Sequence, residues 1–255
     1  MNKHILYFFV LMLISSCGTQ KETKKSNQIA QQIQTLPFTH LELKDLSDFK
    51  PTSKNWQIVS GAIVDPSKKR SITGIEGIGV LLNNSNRTSR KNIFTSFEHG
   101  DIELELEVMM PIGSNSGIYL QGRYEIQLFD SWNIKKPKYS DMGAIYQRWN
   151  KTAEKGEQGY EGHPPAINAA KAPGLWQHIK IKFNAATFDK AGNKTKNAKF
   201  DEVWLNGILI HKNIEVTGPT RAAAFETETS MAPIMIQGDH GPVAFKNIKY
   251  KLYKK

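Results

Sequence analysis

The chain of 255 residues contains one cysteine, Cys17. This excludes an internal disulfide and any metal site built on several thiolates. Acidic residues are also in the minority, with 24 Asp and Glu against 34 Lys and Arg and a formal charge of +10. Long apolar runs are missing. The longest, residues 5–14, has ten residues, about half of what a bilayer-spanning helix requires. Internal repeats, low-complexity tracts and long amphipathic helical patterns are absent as well, and a short helix near residues 28–34 is the most the pattern allows.

The N-terminus carries an address. Lys3 and His4 precede the ten-residue apolar run, and Ile14-Ser15-Ser16-Cys17 follows it. This has the layout of a signal peptide closing on a bacterial lipobox. Residues 1–17 are therefore expected to be a lipoprotein signal, with Cys17 as the lipid anchor. Residues 18–35 are polar and read as a flexible tether. The expected location is the bacterial cell envelope, anchored to the membrane through the lipid and facing the periplasm, since no acidic run follows Cys17. The basic charge is spread over lysines that alternate with apolar residues, as Lys180 and Lys182 do with Ile179, Ile181 and Phe183. No basic-aromatic motif accompanies it, so no nucleic-acid partner is expected.

Residues 36–255 read as one all-β domain. Residues 101–110 alternate strictly, with Ile102, Leu104, Leu106 and Val108 on one face and Asp101, Glu103, Glu105 and Glu107 on the other. Further strands are expected around residues 56–64, 176–183, 200–205 and 233–237. Asn206-Gly207 signals a type I′ hairpin. In the last strand the apolar phase moves from Val243 and Phe245 to Ile248, Tyr250 and Leu252, which predicts a bulge near Lys246-Asn247. Strands and turns over this length predict a two-sheet sandwich.

The most informative segment is residues 115–132. Ile118, Leu120, Tyr124, Ile126 and Leu128 occupy even positions, and Tyr119, Gln121, Arg123, Glu125 and Gln127 occupy odd ones. Residues 117–129 thus read as one long strand with a core face and a polar face. The preceding glutamate-rich strand is expected to pair with it, which would set the glutamates beside Arg123 and Glu125. The polar face could be an ordinary solvated surface with an Arg–Glu pair. It also holds the groups that bind hydroxyl-rich ligands and move protons, with Asp130 at its exit. Two long loops, residues 132–141 and 149–171, are rich in aromatics, Gly and Pro, and loops of that length are commonly functional.

Residues 117–131 resemble the signature of the 3-keto-disaccharide hydrolase domain family. The similarity continues in order through Gly143-Ala144-Ile145-Tyr146, Pro164-Pro165-Ala166-Ile167-Asn168-Ala169-Ala170, Pro173-Gly174-Leu175-Trp176-Gln177, Trp204-Leu205-Asn206-Gly207, Gly218-Pro219-Thr220 and residues 233–248. One departure stands out: Gly238 is inserted between Gln237 and Asp239-His240. The resemblance implies a concanavalin A-like jelly-roll sandwich with a concave, sugar-binding sheet. It further implies action on glycosides whose C3 hydroxyl has been oxidised to a ketone. The ketone acidifies the C2 proton, a base removes it, the C1 oxygen leaves by elimination, and water addition completes a net hydrolysis. A separate sugar 3-dehydrogenase would supply the ketone, so functional coupling to such an enzyme is expected and no redox cofactor is.

On that basis Glu125 is the expected general base and Arg123 its partner or enolate donor. Asp130 is a rival base or acid, with a turn-forming role as the alternative. His240 could serve as acid or base, metal ligand or loop brace. Gln121, Gln127, Asn168 and Gln237 are candidate hydroxyl binders, and Tyr119, Trp132 and Trp149 are candidate stacking platforms or core residues. A divalent metal would suit enolate stabilisation, but no ligand-spacing motif supports one and none is predicted. Two other readings stay open. An ordinary jelly-roll glycoside hydrolase would need two carboxylates flanking the bond, and Glu125 and Asp130 do not reproduce the usual retaining spacing. A non-catalytic carbohydrate-binding lipoprotein would bind without turnover.

Overall fold

The computed structural model describes residues 37–253. Cys17, the apolar run, the tether and the short helix expected near residues 28–34 lie outside the described residues. Within them the structure is all-β, a jelly-roll sandwich of antiparallel strands.

The larger sheet contains β2 (Trp56–Val64), β3 (Ile72–Asn83), β5 (Asp101–Met109), β10 (Gln177–Asn184), β13 (Ala198–Leu205), β14 (Ile208–Val216) and β16 (Val243–Tyr253). Their order is β14-β13-β10-β5-β16-β3-β2, and the short β1 (Thr39–His40) pairs with β16. The smaller sheet has the order β4-β15-β6-β7, from β4 (Ile93–His99), β15 (Ala232–Ile236), β6 (Asn115–Leu120) and β7 (Tyr124–Phe129). Two-stranded ribbons are made by β8 (Arg148–Trp149) with β9 (Gly159–Tyr160) and by β11 (Thr187–Phe188) with β12 (Lys194–Lys196). The core lies between the two large sheets. Ile118, Leu120, Tyr124, Ile126 and Leu128 from the smaller sheet are fully buried in the same cluster as Leu104, Ile181, Phe200 and Phe245 from the larger. Tyr124 and Phe200 flank the ring of Phe183 at centroid distances of 5.4 and 5.2 Å.

Two features appear as the sequence foretells. Asn206 and Gly207 both have positive φ, 52° and 82°, as a type I′ turn requires. The β16 ladder slips between Lys246 and Lys249, with Asn247 at φ 51°.

Two expectations need correction. Residues 117–129 are a hairpin of β6 and β7, not one strand, and the chain reverses through Gln121 and Gly122 at φ 53° and 63°. Ile118 pairs with Ile126 and Leu120 with Tyr124, so even positions face even positions. The reversal therefore leaves the period-two pattern intact, which is why the sequence reads as a single strand. The other correction concerns the glutamates of β5. This strand pairs with β10 and β16 in the larger sheet, not with β6 or β7. Its outer face is a lysine–glutamate ladder, with Lys180 Nζ 2.9 Å from Glu103 and Lys249 Nζ 2.8 Å from Glu105. These lysines hold both carboxyls below the usual range despite partial burial.

Candidate active site

The pocket that matters is on the outer face of the smaller sheet, opposite the core side of β6 and β7. Tyr119 and Glu125 are cross-strand partners there, as are Gly117 and Gln127. Asn115, two residues before Gly117, shares their parity and face. Asn115, Tyr119, Glu125 and Gln127, with Tyr146, Arg221, Ala222, Gln237 and His240, line a cavity of about 280 Å³.

Glu125 forms its floor, 2% exposed. Its side chain lies over Gly117, where a Cβ would stand 2.3 Å from Glu125 Oε1, so only glycine leaves room for the carboxyl. Burial drives the Glu125 pKa up to about 8, against a hydrogen bond from Tyr119 that favours the ionised form; the charge of Asp239 adds to the rise. Tyr119 is held well above its ordinary value by burial and by Glu125, so its phenol stays protonated, and it lies 3.4 Å from Arg221 O. The pocket thus holds a carboxyl that is poised near neutrality.

Neighbouring segments complete the wall. Residues 143–146 run beside β7, with Tyr146 N–H donating to Glu125 O at 3.0 Å and Gln127 N–H to Ala144 O at 2.8 Å. This places Tyr146 next to Glu125. Residues 220–224 are tied down by Thr220 N–H to Arg123 O at 2.9 Å, Arg221 N–H to Gln147 O at 2.8 Å and Ala224 N–H to Gly122 O at 2.9 Å. Arg221 stacks on Trp149, its guanidinium 3.8 Å from the ring centroid, and hydrogen-bonds to Tyr146. Gln237 N–H donates to Gly117 O at 2.9 Å, and Gly238 N–H to Asn92 Oδ1 at 3.0 Å. The inserted Gly238 is therefore built into the frame, and it leads to His240, whose Nδ1 is 2.6 Å from Asp239 Oδ1. That contact raises the His240 pKa and lowers that of Asp239. Asn115 Oδ1 and Gln237 Oε1 are buried without a protein hydrogen-bond partner. Both line the pocket, and unsatisfied acceptors in such a place are what a polyhydroxylated ligand would satisfy.

The sequence candidates divide into two groups. Tyr119, Glu125, Gln127, Gln237 and His240 converge on this pocket. The others lie elsewhere. Arg123 sits in the turn, and its guanidinium donates from Nε to Thr227 O at 2.8 Å, from Nη1 to Gln121 O at 2.8 Å and from Nη2 to Thr227 O, with Phe225 against it. It pins the loop before β15 and is not the neighbour of Glu125 that the alternation implied. Gln121 is buried against His99 O and Ser230 O, both at 3.0 Å. Asp130 accepts from Gly113 N–H at 3.0 Å. Asn168 braces the loop after β7 through Ser131 O and Ile134 O. Trp132 is 52% exposed and away from the pocket lining.

Three residues were missed. Asn115 was within reach, because the odd parity only had to be followed back past Gly117. Tyr146 ends the quoted Gly143-Ala144-Ile145-Tyr146 segment, whose place beside β7 is a tertiary fact. Arg221 follows Gly218-Pro219-Thr220, a turn signal that says nothing about which wall the next residue joins. No group of three or more His, Cys, Asp or Glu suited to a metal occurs among the described residues.

The jelly-roll sandwich is a fold shared with solved structures. Three structures of candidate glycosyl hydrolases from Parabacteroides distasonis are similar to the chain. One is 24% identical over 86% of this chain and 92% of its own, with a TM-score of 0.55. A second is 21% identical over 86% and 100%, with a TM-score of 0.53, and a third 15% identical over 83% and 91%, also at 0.53. At these identities the likeness establishes the fold. A search of curated proteins returned no match. Residues 41–251 match the 3-keto-alpha-glucoside-1,2-lyase-like domain, and the chain belongs to that family. Membership places it among carbohydrate-active enzymes of the hydrolase and lyase type.

Proposed function

We propose that the protein cleaves glycosides whose C3 hydroxyl has been oxidised to a ketone, with Glu125 as the base that removes the C2 proton. The observation that carries this reading is the single buried carboxyl on the pocket floor, raised to about 8. A base of that strength suits a C–H acidified by a neighbouring ketone far better than an ordinary carboxylate does. Ionised Glu125 takes the C2 proton, and the C–H electron pair moves into the C2–C3 bond as the ketone oxygen becomes an enolate. The enolate then collapses: the C3 carbonyl reforms, the C2–C3 pair moves to make a C1–C2 double bond, and the C1–O bond breaks with its electrons leaving on the aglycone oxygen, which takes up a proton. Addition of water across the resulting C1–C2 double bond completes a net hydrolysis.

The surrounding groups have roles that fit. Tyr119, the cross-strand partner of Glu125, favours its ionised form. Arg221 and Tyr146 are further donors lining the same pocket, suited to the developing enolate. Asn115, Gln127 and Gln237 would offer amides to the sugar hydroxyls, and His240, which lines the same pocket, would give the leaving oxygen its proton. A sugar 3-dehydrogenase would have to supply the substrate. We further propose that the domain is tethered through a lipid on Cys17 in the bacterial envelope.

A second reading has an observation of its own. Burial, with a contribution from the charge of Asp239, raises Glu125, while His240 holds Asp239 below the carboxyl range, so the two carboxyls stand apart. Separation of that kind is how glycoside hydrolases divide acid and base roles between two carboxyls. Incubating the protein with a 3-keto-disaccharide and with its unoxidised parent separates the two. Selective release of sugar from the oxidised compound supports the first reading, and equal or faster cleavage of the parent supports the second.

A further inference from the structure

The pocket over Glu125 continues on both sides. Through Arg221 and Ala222 it joins a hollow of about 810 Å³ that also contains Arg148, Trp149, Lys151 and Tyr160. Through Asn115 and His240 it joins another of about 640 Å³ bordered by Arg70, Arg90 and Asp239. The result is one groove with Glu125 near its middle and a cationic wall on each flank.

The kind of cation is informative. The chain is rich in lysine and poor in arginine: of its 34 basic residues only six are arginines. Four of those six, Arg70, Arg90, Arg148 and Arg221, line the groove, whereas Lys151 is the one lysine that does. The bulk charge of the protein would have brought lysines. The contrast is visible on the same molecule, where a polar hollow of about 680 Å³ near Asp101 and Asn184 is lined by Lys194, Lys196 and Lys199 and no arginine. Two of the groove arginines are also held in place by aromatic rings, Arg221 over Trp149 at 3.8 Å and Arg148 over Tyr160 at 5.0 Å. Acidic residues along the flanks are few: Asp239 is engaged by His240, Glu161 pairs with Arg148 at 3.5 Å, and Glu226, 91% exposed, meets Lys151 at 3.9 Å. A planar guanidinium fork matches a carboxylate or sulfate in a way an ammonium does not.

We propose that the groove accepts an acidic glycan, in which sugars flanking the reacting ring carry oxyanionic groups, carboxylate or sulfate. This rests on the reading of the Glu125 pocket as a glycoside site. The test is calorimetric titration of the full-length chain carrying Glu125→Gln, so that turnover does not intervene. The probes are an oligoglucuronate, a sulfated gluco-oligosaccharide and a neutral gluco-oligosaccharide of equal length. At least one acidic probe should bind about tenfold more tightly than the neutral one, and which one does so identifies the anion. The preference should shrink at about 0.5 M salt. It should fall in Arg70→Gln/Arg90→Gln and in Arg148→Gln/Arg221→Gln, and persist in Lys196→Gln/Lys199→Gln. Equal affinity for neutral and acidic probes, binding of none, or an equal loss in the lysine pair overturns the proposal. Should an arginine pair fail to fold, the probe comparison and its salt dependence on the parent chain still decide. Charge-selective binding without turnover of any 3-keto-glycoside would leave this inference standing and remove the function proposed above. Turnover of a 3-keto-glycoside without charge preference would do the reverse.

Discussion

Gly117→Ala probes the site without replacing any reacting group. A Cβ at this position would stand 2.3 Å from Glu125 Oε1 and 3.0 Å from both Cδ and Cγ, and the three nearest atoms all belong to Glu125. A carbon and an oxygen in contact settle at about 3.3 Å, so the carboxyl has to retreat by about 1 Å. Misplacing a catalytic group by that much costs about 10²-fold in rate. Gly117 lies within β6 and is not among the positive-φ glycines, so alanine meets no backbone strain there. Alanine in a strand interior even removes the roughly 0.5–1 kcal/mol entropic penalty of glycine. Folding should therefore survive while catalysis falls. The assay is kcat on a 3-keto-glycoside alongside the thermal midpoint. A Gly117→Ala protein with the rate of the parent chain would refute the placement of Glu125 as the working group. An unfolded one would refute the claim that glycine serves the carboxyl and not the strand.

Further outcomes follow from the same geometry. The base form of Glu125 is the ionised one, so kcat/KM should rise with pH toward a plateau above about 8, the value to which burial lifts it; a flat profile from pH 5 to 9 would contradict that role. His99 and His211 are buried, and burial lowers both to about 4 from an ordinary 6.5. His99 takes the Gln121 N–H on Nε2 at 2.9 Å, which leaves its proton on Nδ1, donated to Gly100 O. Their contribution to stability is fully present above pH 6.5 and is lost as pH falls toward 4, up to about 3 kcal/mol each; denaturant unfolding of His99→Gln should show a shallower acid limb, and an unchanged one would count against it. Cys17→Ser should release the protein from washed membranes, and a variant that still sediments would exclude the lipid anchor.

How much was legible follows from which interactions are local. The core face of β6 and β7 was readable because alternation is a property of consecutive residues, and the Asn206-Gly207 turn because its two positive φ angles demand those residue types. The hairpin reversal was hidden by parity: pairing Leu120 with Tyr124 keeps even residues facing the core, and Gly122 alone interrupts the pattern. Arg123 was misplaced for the same reason, since on an uninterrupted strand it would have shared the face of Glu125. Glu125, Tyr119 and Gln127 share one face, as alternation implies, because they lie on the strands proper. Arg221 and Tyr146 reach the site through Thr220–Arg123 and Tyr146–Glu125 backbone bonds that join segments far apart in the chain, and no local pattern encodes such contacts. The glutamates of β5 show the limit from the other side. Their alternation was real, but the partner strands, β10 and β16, supply lysines that turn a candidate site into a structural ladder.

The proposed reaction begins with removal of the C2 proton by Glu125. Incubation of a 3-keto-glycoside in deuterated solvent reports that step directly, because the C2 position acquires deuterium even when elimination stalls. Glu125→Gln preserves the shape of the side chain and removes the base, so exchange at C2 should fall by about 10²–10⁴-fold, with substrate affinity little changed. Exchange in Glu125→Gln as fast as in the parent chain would contradict the assignment of Glu125 as the base.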